Sequence, residues 1–161
     1  RGQRIPLLEE VVRLVPEGRG LLVEVKSGTE TVKPLHELLQ RTGVGRRIVV
    51  MSFDLDVATA IKNLEPSRVV LWLVKAEKGL VGLRKPISEK VIGIAKGRGL
   101  DGLGLDVRGT SLELARKVKR AGLVLYVWTV DDPARAKRMI DAGADGIITN
   151  RPGWLRKKLK L

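Results

Sequence analysis

The run Leu21-Leu22-Val23-Glu24-Val25-Lys26 sets a carboxylate and an ammonium two residues apart in an otherwise apolar segment. Side chains alternate across a strand, so Glu24 and Lys26 share one face and Val23 and Val25 the other. Such charges are expensive to bury unless they pair or do chemistry. The spacing fits an internal ion pair that fixes packing as well as it fits a functional pair. Ser52-Phe53-Asp54 ends the next apolar run, where Asp54 or Asp56 can cap a following helix. Trp128 stands near the end of Val124–Val130; a strand tryptophan belongs to the core unless it lines a pocket. The only histidine, His36, lies in P-L-H-E-L-L beside Leu35, Leu38 and Leu39 and is expected to face solvent. A single histidine offers no imidazole pair to relay a proton.

Six apolar, β-rich runs must position these groups: Leu21–Lys26, Ile48–Phe53, Val69–Val74, Leu103–Val107, Val124–Val130 and Gly146–Thr149. Helical patterns fall between them, at Pro6–Val15, Pro34–Thr42, Leu55–Leu64, Ser88–Lys96, Ser111–Ala121 and Pro133–Ala142. Asp132 with Pro133 spells a helix start. Thr110 with Glu113 reads as a T-x-x-E capping box. Gly43, Gly122 and Gly143 stand where helices must stop. Strict alternation of helices with strands apolar on both faces means a parallel sheet covered by helices. An open doubly wound sheet and a (β/α) barrel fit equally well. The glycines at 79, 82, 97, 99, 102 and 104 form neither a dinucleotide fingerprint nor a P-loop and read as turns.

The absence of cysteine excludes disulfides and thiolate metal sites. No apolar run approaches the roughly 20 residues that span a bilayer, and no signal-peptide pattern opens the chain, so a cytoplasmic location is expected. Few Asn and Gln beside many Arg, Lys, Val and Leu give a thermophile-like composition. The net charge of +13 favours polyanions or anionic lipid surfaces. An aromatic content of 3% provides no base-stacking surface, so no nucleic-acid partner is expected. The basic tail Arg156-Lys157-Lys158-Lys160 falls on a short terminal helix and is most simply a solvated face.

The segment VLYVWTVDDPARAKRMIDAGADGIITNRP, residues 124–152, strongly resembles the C-terminal end of the glycerophosphodiester phosphodiesterase family, with its V-Y-V-W-T-V-N and D-G-I-I-T-D-R-P patterns. RIPLLEEVV, LLVEVKSG and IVVMSFD follow the family's order of segments. The resemblance implies a TIM-type (β/α) barrel, incomplete, with about six βα units of parallel strands, where a closed barrel has eight strands and about 250 residues. It also implies one N-terminally truncated domain over residues 1–161. By match to the family, Glu24 would be a ligand to a divalent cation, Mg or Ca. Lys26 would face the substrate phosphate, and Ser52, Phe53 and Trp128 would shape the pocket. The basic residues of Lys75–Pro86 could attract a phosphodiester or simply be solvated. Asp131 and Asn150 stand where the family commonly has asparagine and aspartate.

The implied activity is metal-dependent hydrolysis of glycerophosphodiesters to sn-glycerol 3-phosphate and an alcohol. The family's H-R-G strand, its E-x-D motif and its second histidine have no counterpart here. No catalytic residue is therefore assigned, metal affinity is expected to be weak, and the chain alone is expected to be inactive. Two rival readings are a non-catalytic relative that binds phosphate ligands or, weakly, anionic membranes, and a structural half-barrel completed by a missing N-terminal segment or a homodimer partner.

Overall fold

Each of the six apolar runs forms a strand and each helical pattern forms a helix. The computed structural model describes residues 2, 4–43, 47–79 and 83–161. Within them the order is α1 (Leu8–Arg13), β1 (Leu21–Val25), α2 (Val32–Thr42), β2 (Ile48–Ser52), α3 (Leu55–Leu64), β3 (Val70–Val74) and α4 (Lys90–Gly97). Then follow β4 (Gly102–Asp106), α5 (Leu112–Arg120), β5 (Val124–Trp128), α6 (Pro133–Asp141), β6 (Gly146–Ile147) and α7 (Pro152–Leu159). The pairs β1–β2, β3–β4, β4–β5 and β5–β6 are all parallel. The chain resolves into two compact units, residues 1–70 and 71–161.

In the first unit β1 and β2 run in register from Leu21↔Ile48 to Val25↔Ser52. The Val50 N–H donates to the Val69 carbonyl at 3.1 Å. Apolar residues at helical spacing bury Val32 and Leu39 of α2 and Val57, Ala58 and Ile61 of α3. Asp54 caps α3, its carboxylate accepting from the N–H groups of Asp56 and Val57 at 2.8 and 3.1 Å. Gly43 ends α2 with a φ of 64°, a left-handed conformation that costs glycine little.

In the second unit every residue of β4 is buried. Its two glycines permit this: a Cβ on Gly102 would run into the Val124 carbonyl, and one on Gly104 into the Leu73 side chain. Leu103, Leu105, Leu125 and Val127 are wholly buried, and Leu114, Ala115, Val118, Ala136 and Met139 line α5 and α6 behind them. Asp132 caps α6 as expected, accepting from the Arg135 N–H at 2.7 Å with Pro133 in the first turn.

The cap of α5 differs from expectation. Ser111, not Thr110, accepts from the Leu114 N–H at 3.0 Å. The buried Thr110 hydroxyl is committed elsewhere, donating to the Asp106 carbonyl at 2.8 Å. Glu113 pairs with Lys117 at 3.2 Å instead of reaching back to close a capping box. Strand ends also shift: Lys26, Phe53, Val107 and Thr129–Val130 lie past the strand ends, although the N–H groups of Val107 and Val130 still donate to the Trp128 and Ile148 carbonyls.

Candidate active site

At the C-terminal end of β1 the side chains of Glu24 and Lys26 lie on one face, with Lys26 Nζ 3.9 Å from Glu24 Oε2. This is a loose, solvent-facing pair, since the Lys26 side chain is 79% exposed and that of Glu24 29%. Such a pair contributes little to stability. Val23 and Val25 take the other face, Val25 buried and Val23 half-buried. A groove of about 300 Å³ runs along the strand end, lined by Val23 and Val25 as well as by Glu24 and Lys26, with Leu8, Leu35 and Leu38 from α1 and α2.

Ser52 is buried. Its hydroxyl donates to the Val25 carbonyl at 2.8 Å and accepts from the Asp54 N–H at 3.1 Å. It thus ties the ends of β1 and β2 together beside the groove. Phe53 follows as an exposed side chain, while Asp54 is occupied as a helix cap.

In the second unit Trp128 ends β5 half-buried, its Nε1–H donating to the Gly104 carbonyl at 2.9 Å. Its register partner on β4 is Asp106, which the motif reading missed. The sequence signal was there: a carboxylate and an arginine, D-V-R, at the end of the apolar run Leu103–Val107. Asp106 is completely buried and accepts three hydrogen bonds from Arg108: from Nε at 2.9 Å, Nη2 at 2.7 Å and the backbone N–H at 3.0 Å. Burial alone would raise its pKa. The Arg108 hydrogen bonds and charge outweigh that and hold the carboxyl below its ordinary range. The 47% exposed Arg108 side chain is therefore held by its fork at a strand's C-terminal end.

Asp131 and Asn150, the two exchanged positions, meet. Asp131 accepts from Thr149 Oγ1 at 2.7 Å, the Asn150 N–H at 2.8 Å and Asn150 Nδ2 at 2.9 Å. Those bonds hold its carboxyl below the usual range. A carboxylate and a carboxamide thus face each other across the β5 and β6 ends. The basic loop after β3 is self-engaged: Arg84 donates to the Ala76 carbonyl at 3.2 Å and Lys85 pairs with Glu77 at 3.1 Å. Residues 80–82, including Gly82, lie outside the described residues.

His36 departs from the expected solvent-facing position. It is half-buried, with Nδ1 3.3 Å from Glu65 Oε2. Glu65 also takes two hydrogen bonds from Arg68, whose guanidinium reaches the Ile48 carbonyl at the start of β2. The histidine belongs to this cluster, at the opposite end of β2 from Ser52.

A divalent cation needs several oxygen ligands, and among the described residues no three His, Asp or Glu side chains gather to hold one. The groove beside β1 offers Glu24 alone, with an ammonium nearby. The described residues do not by themselves fit a resident metal.

The glycerophosphoryl diester phosphodiesterase family model matches residues 1–154. A glycerophosphodiester phosphodiesterase of Bacillus subtilis is 26% identical over 99% of this chain and 55% of its own length. One of Caldanaerobacter subterraneus is 29% identical over 96% of this chain and 61% of its own length. The chain thus spans little more than half the length of the relatives it matches. The crystal structure of a candidate glycerophosphoryl diester phosphodiesterase from Silicibacter pomeroyi superimposes with a TM-score of 0.81 at 24% identity, covering 95% of this chain and 55% of that one. The fold is accordingly of the (β/α) TIM-barrel type, with six parallel strands where a closed barrel has eight.

Proposed function

The chain belongs to the glycerophosphoryl diester phosphodiesterase family, and we propose that it carries part of the site of an enzyme hydrolysing glycerophosphodiesters to sn-glycerol 3-phosphate and an alcohol. The family match over residues 1–154 supports the reading, because it runs through the E-V-K strand end and the V-W-T strand end. We take residues 1–161 as the C-terminal portion of one such domain. Lys26 is the phosphate contact: its ammonium is exposed at the end of β1, and the residue is among those that line the groove there. Ser52 holds the strand end on which Lys26 is carried, and by resemblance Phe53 after β2 and Trp128 at the end of β5 are each pocket residues. Proton transfer is assigned to residues outside these 161, since His36 is tied to Glu65.

Family members use a divalent cation, Mg or Ca by resemblance, and Glu24 is the residue here that would offer it an oxygen.

Calorimetric titration with sn-glycerol 3-phosphate tests the substrate-holding part. Binding is expected and should weaken at least tenfold in Lys26→Met, about the worth of one charged hydrogen bond. Unchanged affinity in that variant would refute the role of Lys26. Glycerophosphocholine and glycerophosphoethanolamine with Mg²⁺ or Ca²⁺ test the chemistry, and the chain alone should release no glycerol 3-phosphate. Release that disappears in His36→Ala would overturn the assignment of proton transfer to other residues.

A further inference from the structure

The positive charge is unevenly distributed. Residues 71–161 hold twenty Lys and Arg against nine Asp and Glu, whereas residues 1–70 hold eleven against nine. Within the second unit several cations on α5 and α6 are matched. Lys117 pairs with Glu89 and Glu113, Lys119 with Asp145, and Lys137 with Asp141. On and just after α7 the pattern changes. Arg156, Lys157, Lys158 and Lys160 are all exposed, and among the described residues none forms an ion pair.

Local helix energetics account for only part of this run. Cations in a last turn suit the helix dipole, but Arg156 and Lys160, four apart, repel. The helix is fixed by its other side. Leu155 is buried and Leu159 half-buried, one turn apart, which turns the cations outward. Apolar groups flank the charges at both ends: Trp154 with the Arg151 guanidinium 4.0 Å from its ring centroid, and Leu161, largely exposed. With its apolar side turned into the protein, α7 offers lipid a chiefly electrostatic contact, a basic cluster with tryptophan and leucine at its ends. A nucleic-acid surface would instead ask for stacked aromatics, and the chain has three Trp, one Tyr and one Phe in all.

We propose that α7 docks the chain on an anionic lipid bilayer, with Arg156, Lys157, Lys158 and Lys160 facing the phosphate headgroups and Trp154 and Leu161 at the headgroup boundary. Among the described residues no helix is long and apolar enough to cross a membrane, and the contact is one with the surface. It is independent of the active-site reading. A basic residue beside an anionic leaflet strengthens partitioning by about fivefold, so losing two should weaken it by about 25-fold.

Co-sedimentation of the 161-residue chain with vesicles tests this, using phosphatidylcholine alone and phosphatidylcholine mixed with phosphatidylglycerol. Binding is expected only to the phosphatidylglycerol vesicles, falling as salt rises. It should weaken by about 25-fold in Lys157→Gln/Lys158→Gln, survive in Lys157→Arg/Lys158→Arg, and change much less in Arg135→Gln/Arg138→Gln, which removes the same charge from α6. Circular dichroism confirms that each variant is folded. Absence of binding to phosphatidylglycerol vesicles overturns the proposal. So does an equal loss in the α6 variant, which would make net charge and not α7 the cause, and so does tighter binding to duplex DNA at the same salt.

Discussion

Replacing Glu65 by Gln should destabilise the chain by about 3 kcal/mol at neutral pH, the low end for breaking a buried ion pair. The structure supplies the magnitude. The Arg68 side chain is 1% exposed and that of Glu65 14%, so water cannot take over the lost interaction. Arg68 donates from Nε at 2.8 Å and from Nη2 at 2.6 Å to the two carboxylate oxygens. Glutamine keeps one acceptor but removes the charge, so the buried guanidinium loses the Glu65 carboxylate that faces its Nε and Nη2. For a chain of this size about 3 kcal/mol lowers Tm by roughly 6–12 °C. Acid provides a second test. Burial pushes the Glu65 carboxyl up, but Arg68 and His36 outweigh it and hold the pKa below its ordinary value. A folded-state pKa below the unfolded one contributes stability above about pH 4.3, lost as pH falls through the folded value. The Tm gap between wild type and Glu65→Gln should therefore be full at pH 7 and shrink near pH 3, as thermal melts followed by circular dichroism would show. The double change Glu65→Leu/Arg68→Met should recover much of the loss, since apolar replacement of a whole buried pair is often neutral. A Tm within about 2 °C of wild type at pH 7, or a gap that persists undiminished near pH 3, would refute this reasoning.

Three further outcomes follow from the same contacts. Ser111→Ala should cost about 1 kcal/mol in urea unfolding through loss of the α5 cap, whereas a glutamate at Ser111 should not restore the full effect of the hydroxyl. Gly102→Ala should destabilise by about 1–3 kcal/mol or more, because the new methyl meets the rigid Val124 carbonyl; a near wild-type melting curve would contradict the packing of β4. Asp131→Asn alone should lower Tm by leaving two carboxamides face to face, while the exchange Asp131→Asn/Asn150→Asp should restore it: the carboxamide oxygen at position 131 still accepts from Thr149 Oγ1 and the backbone N–H of residue 150, and only the bond between the two side chains reverses.

The parts of this protein that the sequence determined are those whose physics acts over a few residues. Apolar runs of strand length, the Asp54 and Asp132 caps and the left-handed glycines at 43, 122 and 143 act within about one helical turn, so strands, helices and their order were legible. The shared face of Glu24 and Lys26 was equally local, following from strand alternation. The Thr110 cap failed because a second local acceptor claimed the same hydroxyl: the Asp106 carbonyl, four residues back at the end of β4. What only the tertiary structure decided is which polar groups find partners far along the chain. Ser52 meets Val25, 27 residues away, and His36 meets Glu65, 29 residues away. Trp128 meets Gly104, 24 residues away. Asp106 and Arg108 are near neighbours in sequence, yet the burial that gives their pairing its character comes from β4 being wholly enclosed. Residue types report what a side chain can bond or bury; the fold decides which partner reaches it first and whether water competes.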